Sequence, residues 1–184
     1  MRIITGKAKG LKLKTPVGFS TRPTSDRVKE SLFSVLNGMI DFTEINAVLD
    51  IFAGTGALGL ESLSRGANSA TFIDFATTDI IAENIRRAKF ENTSKILRGD
   101  FEKMLRRISR QSRKFDLIFI DPPYKKNLIA TSLELIAELE LLDEGGLIIV
   151  EYGVDENLDT KNFKSIRKIN YGHTTAIEFL VTND

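Results

Sequence analysis

Asp121-Pro122-Pro123-Tyr124 is the segment of this chain best suited to chemistry. Two successive prolines fix the backbone after Asp121 and lack amide hydrogens, so the Asp121 carboxylate and the Pro122 carbonyl can stand as two rigid acceptors. An amino group presents two donors to such a pair. Accepting both would aim the nitrogen lone pair at an electrophilic carbon and favour the positive charge that develops on nitrogen as it attacks. Tyr124 adds a flat face on which an extruded nucleobase could stack, an interaction worth about 1–3 kcal/mol in other proteins. The plainer alternative is a strand followed by a loop breaker and a surface tyrosine. Asp121, Pro122 and Tyr124 are the candidate catalytic residues.

A second segment, Val48-Leu49-Asp50-Ile51-Phe52-Ala53-Gly54-Thr55-Gly56-Ala57-Leu58-Gly59, satisfies the GxGxxG spacing with Gly54, Gly56 and Gly59, and Asp74 follows at the end of the next apolar run. Glycines allow close backbone approach to a ligand, and a carboxylate at the second strand end can accept hydrogen bonds from ribose hydroxyls. Nicotinamide or flavin dinucleotides and S-adenosylmethionine both use this arrangement, so the loop alone leaves an oxidoreductase open. Asp50 separates the two. A carboxylate beside the loop would repel a pyrophosphate and favour the ammonium and sulfonium region of S-adenosylmethionine; the alternative for Asp50 is a helix-capping or merely solvated aspartate. Asp100, after Leu97-Arg98-Gly99, is placed to bind the exocyclic amine of an adenine, to cap the helix that begins at Phe101, or both. The expected cofactor is S-adenosyl-L-methionine, held by Asp50, Phe52, Gly54, Thr55, Gly56, Asp74 and Asp100. Methyl transfer from a sulfonium requires no metal and no base before attack.

The elements that must position these residues follow from hydrophobic period. Short apolar runs at Ala47–Phe52, Ala70–Asp74, Lys95–Arg98, Phe115–Asp121 and Gly146–Glu151 read as strands. Helical spacing marks Asp26–Gly38, Leu58–Ser64, Thr78–Phe90, Phe101–Ile108 and Leu128–Leu142. This βα alternation predicts a parallel sheet. Lys164–Tyr171 and Thr175–Val181 are separated only by Gly172-His173-Thr174, too short a connection for anything but an antiparallel hairpin. The N-terminal Ile3–Lys14 segment alternates apolar and basic residues and reads as a small hairpin with lysines on one face. The expected class is therefore α/β, a Rossmann-like fold with an antiparallel C-terminal hairpin and a basic N-terminal hairpin extension. Residues 1–24 form the extension and 25–184 the domain that carries the chemistry.

Composition excludes other classes. The 184 residues contain no cysteine and a single histidine, His173, so disulfides, thiolate or histidine-rich metal sites and a Ser-His-Asp triad are disfavoured, and no metal is expected. No apolar run approaches the roughly 20 residues of a membrane span, and the first residues lack the core of a signal peptide. A cytoplasmic protein is expected. The net charge of +1 conceals an asymmetry: residues 1–30 hold eight Lys/Arg against Asp26 and Glu30. A basic end on an acidic body suits a polyanion held at one edge, with Lys7, Lys9, Lys12, Lys14, Arg22 and Arg27 as candidate nucleic-acid contacts. For the second cluster, Arg106, Arg107, Arg110, Arg113 and Lys114, a solvated face is the favoured reading.

Taken together, the opening Met1-Arg2-Ile3-Ile4-Thr5-Gly6 with Gly10 and Leu13, the segment Arg22-Pro23-Thr24-Ser25-Asp26-Arg27-Val28-Lys29-Glu30, the glycine loop and Asp121-Pro122-Pro123-Tyr124 resemble the RsmD-type family. These are guanine-N(2) methyltransferases of small-subunit ribosomal RNA. The resemblance runs through almost the whole chain. It implies a seven-stranded methyltransferase sheet, S-adenosylmethionine as donor, and as acceptor one guanine of 16S ribosomal RNA within a particle containing ribosomal proteins. The chain departs from the family in ending its second strand with Asp74, where glutamate is more usual. Two other acceptors are chemically open to the tetrad, another RNA and the adenine or cytosine of DNA; a non-catalytic RNA-binding protein of the same fold is a further alternative.

Overall fold

The structure, a computed structural model, describes residues 1–16, 26–123, 127–156, 158–160 and 162–183. Tyr124 and Arg22 lie outside the described residues.

Helix α1 (Asp26–Asn37) precedes four βα units: β1 (Val48–Ile51) and α2 (Ala57–Arg65), β2 (Ala70–Asp74) and α3 (Thr78–Ala88), β3 (Ser94–Arg98) and α4 (Phe101–Ser109), β4 (Phe115–Ile120) and α5 (Leu128–Glu138). Strands β5 (Leu142–Gly153), β6 (Phe163–Tyr171) and β7 (Thr175–Thr182) complete a seven-stranded sheet of order β3-β2-β1-β4-β5-β7-β6. β1 to β5 are mutually parallel, and β7 runs antiparallel to both β5 and β6. This is the Rossmann-like architecture that the βα alternation predicts, with the seven strands that the family resemblance implies.

The sheet is covered on both sides, which is why its central strands are almost continuously apolar. Alternate residues Val48, Phe72, Leu117, Phe119 and Ile149 pack with α1, α2 and α3. Their neighbours Leu49, Ile51, Ile73, Ile118 and Val150 pack with α4 and α5. One boundary differs from expectation. The helical period extends to Leu142, but α5 ends at Glu138, Glu140 takes a left-handed φ of 51°, and Leu142 opens β5. Leu141 and Leu142 prolong the helical pattern of apolar residues while serving the core from beyond the helix.

The N-terminal segment forms the expected hairpin, with an Arg2–Lys12 bridge and a Gly10 amide donating to the Ile3 carbonyl at 2.8 Å. It is docked rather than free. Ile3 and Leu13 are buried in the same apolar cluster as α1 to α3. The Glu61 carboxylate on α2 accepts the Ile4 and Thr5 amides at 2.7 and 3.0 Å, and also pairs with Lys29 at 3.1 Å and Arg65 at 2.9 Å. Lys29, one of the eight basic residues of the N-terminal region, is therefore a core residue whose ammonium also donates to the Arg2 carbonyl. Burial pushes its pKa down against the opposing pull of Glu61. The Lys7, Lys9, Lys12, Lys14 and Arg27 side chains remain exposed.

Candidate active site

In an open parallel sheet, ligands bind outside the carboxyl ends of the strands where strand order reverses. Here that point lies between β1 and β4, which pair directly while their successors β2 and β5 lie on opposite sides. The β1–α2 loop carries Phe52 to Gly56, β2 ends at Asp74, β3 leads to Asp100, and β4 leads to Asp121 and Pro122. The candidate catalytic and cofactor-binding residues within the described chain thus gather at the carboxyl ends of the strands.

Asp50 occupies the third position of β1, is 1% exposed, and its carboxylate accepts the Gly59 amide at 3.0 Å. Gly59 belongs to the first turn of α2, whose N-cap, Gly56, has no side chain to offer. Asp50 therefore satisfies an amide that the helix start leaves orphaned, so the helix-capping reading of this residue holds. Burial raises its pKa well above the usual carboxylate range. The Gly59 amide opposes that rise, and Asp121 and Asp74 add to it by like-charge repulsion. Asp74 and Asp121, from the ends of the two strands that flank β1, thus bear on the buried Asp50 carboxyl.

Asp74 also braces the loop. One of its oxygens accepts the Gly54 amide at 2.9 Å, and the other accepts the Ala76 and Thr77 amides, each at 2.8 Å. A carboxylate offers about four acceptor directions, so a ribose hydroxyl can still be accommodated. Gly54 and Gly56 take φ values of 57° and 77°, a region in which side chains are strained. Gly59 is needed for a different reason: a Cβ there would lie 2.4 Å from the Phe72 ring.

Phe52 has φ 64° without being glycine, a conformation that costs on the order of 1–3 kcal/mol and persists where the surroundings impose it. Its ring meets Phe101 at 4.9 Å between centroids, forming an aromatic wall between the β1 and β3 ends. Asp100 caps α4 through the Lys103 amide at 3.2 Å and is exposed. Phe75, immediately after Asp74, is 74% exposed, an unusual position for so large an apolar ring. Neither Phe75 nor Phe101 stood out in the sequence, because an aromatic residue near a strand end is ordinarily core. Asp121 and Pro122 are half-buried where β4 leaves the sheet.

A family model described as “Conserved hypothetical protein 95” matches residues 1–180. The chain belongs to this family. It is the RsmD family that the N-terminal and tetrad motifs resemble. Over 178 residues the chain is 36% identical to “Putative rRNA methyltransferase YlbH” of Bacillus subtilis, spanning 95% of both chains. It is 35% identical over 162 residues to “Ribosomal RNA small subunit methyltransferase D” of Escherichia coli K12, spanning 87% of this chain and 78% of that one. The solved structure of a hypothetical protein from Thermus thermophilus matches with a TM-score of 0.81 at 28% identity, covering 97% of this chain and 98% of the other. For this RsmD-family member, no cluster of three or more potential metal ligands occurs among the described residues. None of their helices is long and apolar enough to cross a membrane.

Proposed function

We propose that this protein transfers the methyl group of S-adenosyl-L-methionine to the exocyclic 2-amino group of one guanine in 16S ribosomal RNA. The observation that carries the reading is the meeting of Asp50, Asp74 and Asp121 around a glycine loop at the sheet's switch point. The donor set fits the cofactor. Three carboxylates favour a ligand bearing an ammonium and a sulfonium, and would repel a dinucleotide pyrophosphate. Asp50 exerts this preference through its field and by fixing α2, since its carboxylate is buried. Asp74 serves the ribose, Asp100 the adenine amine, and Phe52, Phe75 and Phe101 offer apolar cover for the adenine ring.

When bound, S-adenosylmethionine supplies an electrophilic methyl carbon. Asp121 and the Pro122 carbonyl accept the two hydrogens of the guanine amine and hold its lone pair toward that carbon. As positive charge grows on the nitrogen both hydrogen bonds strengthen, so the stabilisation is realised mainly in the transition state. Tyr124 stacks the extruded base. The exposed Lys7, Lys9, Lys12, Lys14 and Arg27, together with Arg22, contact phosphates. The names of the relatives from B. subtilis and E. coli support ribosomal RNA as the acceptor class, and a cytoplasmic enzyme acting on a small-subunit particle accords with it.

The test is transfer of tritiated methyl from S-adenosylmethionine to small subunits, deproteinised ribosomal RNA and duplex DNA offered in parallel. Label is expected in RNA of the small subunit. Label in DNA alone, or tight nicotinamide-cofactor binding without S-adenosylmethionine binding, would overturn the proposal.

A further inference from the structure

The shape of the glycine loop depends on a residue outside it. Gly59 is the third residue of α2, so its amide has no partner within the helix, and the Thr55 carbonyl lies before the helix start. Asp50 accepts the amide, and the Thr55 carbonyl accepts the Asn84 side-chain amide at 3.0 Å. Two buried side chains from flanking elements thus hold the backbone groups where the glycine loop passes into α2. Asn84 is fully buried on α3, and its remaining groups are also engaged. Its Nδ2 donates to the Lys14 carbonyl at 3.0 Å and its Oδ1 accepts the Lys14 amide at 2.7 Å. The Lys14 ammonium pairs with the adjacent Glu83, and the Thr55 hydroxyl donates to the Met1 sulfur at 3.8 Å. The basic N-terminal segment and the glycine loop are therefore joined through one side chain, with a second contact beside it.

We infer that Asn84 is a positioning residue that couples the basic N-terminal segment to the cofactor loop, so that RNA held by the segment and cofactor held by the loop strengthen each other's binding. The inference rests on the proposed function for the identity of both ligands. Only a side chain with two donors and an acceptor fits: aspartate would turn an oxygen toward two carbonyls, and alanine would leave three backbone groups unpaired. Affinity coupling of this kind is reciprocal. RNA that bears on the Lys14 segment is felt at Asn84, and Asn84 holds the Thr55 carbonyl.

The experiment measures S-adenosylhomocysteine affinity by calorimetry, with and without saturating small subunits prepared from cells that lack this enzyme, for the full-length wild type and for Asn84→Ala. Small subunits are expected to tighten wild-type binding by about fivefold or more, the lower end of usual coupling, and to leave the Asn84→Ala affinity within about twofold. A purely structural role would weaken binding equally in both conditions and preserve the ratio. Should Asn84→Ala fail to melt cooperatively, Asn84→Ser, which keeps a donor and an acceptor on a shorter side chain, takes its place. An unchanged ratio in the variant, or no coupling in the wild type, overturns the inference while methyl transfer stands. Failure of the wild type to bind either S-adenosylmethionine or S-adenosylhomocysteine would instead overturn the cofactor reading.

Discussion

Asp50 shows how burying a carboxyl ties the stability of a fold to pH. Its pKa lies above that of the unfolded chain, so the native state holds this proton more tightly. The associated stability is fully present below the unfolded value, about 3.9, and is lost as pH rises through the raised one. Asp50→Asn removes this dependence. Its stability relative to wild type should therefore increase with pH across that window, read by urea unfolding at a series of pH values. The same substitution should lower affinity for cationic S-adenosylmethionine more than for neutral S-adenosylhomocysteine; an equal loss for both would contradict the field argument. Asp121→Ala should reduce turnover by about 100-fold or more, the scale seen when a transition-state hydrogen bond is removed, with S-adenosylmethionine affinity nearly retained. Asp50 and Asp121 were legible in the sequence because one stands beside a glycine loop and the other opens Asp-Pro-Pro-Tyr, each at the end of an apolar run. The partner of Asp50 was not, since nothing local says which amide a buried carboxylate will meet. Asn84 was hidden further, within a helix whose charged residues lie toward the surface.

The N-terminal hairpin and α2 form a unit larger than either. The alternation that predicts the hairpin was legible; its docking was not, because Glu61 reads as a polar interruption in an apolar helix until Lys29, Arg65 and two hairpin amides converge on it. Two kinds of substitution separate structure from binding here. Glu61→Ala leaves buried Lys29 uncompensated and should cost about 3–5 kcal/mol, seen as a lower urea midpoint. Neutralising Lys7, Lys9 and Lys12 should leave the midpoint in place and flatten the salt dependence of RNA binding, the slope falling by about 0.7 to 0.9 for each phosphate that is no longer neutralised. Lys14 is left intact in that test because Glu83 and Asn84 engage it. An unchanged slope would make the lysines a solvated face.

Across the whole molecule, the order of the strands turns separate motifs into one site. The βα alternation and the short C-terminal hairpin made the sheet legible. The seat of β7 between β5 and β6 follows from packing, with β7 buried on both faces and β6 exposed along the edge. Because β1 and β4 are neighbours, the glycine loop and Asp121-Pro122 leave the sheet side by side although two whole βα units separate them in the chain, and that adjacency underlies the proposed transfer. The most direct measurement locates the methylated nucleotide by mass spectrometry of small-subunit RNA fragments and then replaces that guanine with inosine, which lacks only the exocyclic amine. With no nucleophile for Asp121 and Pro122 to orient, methylation at that position should vanish while RNA binding falls only modestly. Continued methylation of the inosine-substituted RNA would show attack by a ring atom and contradict the account.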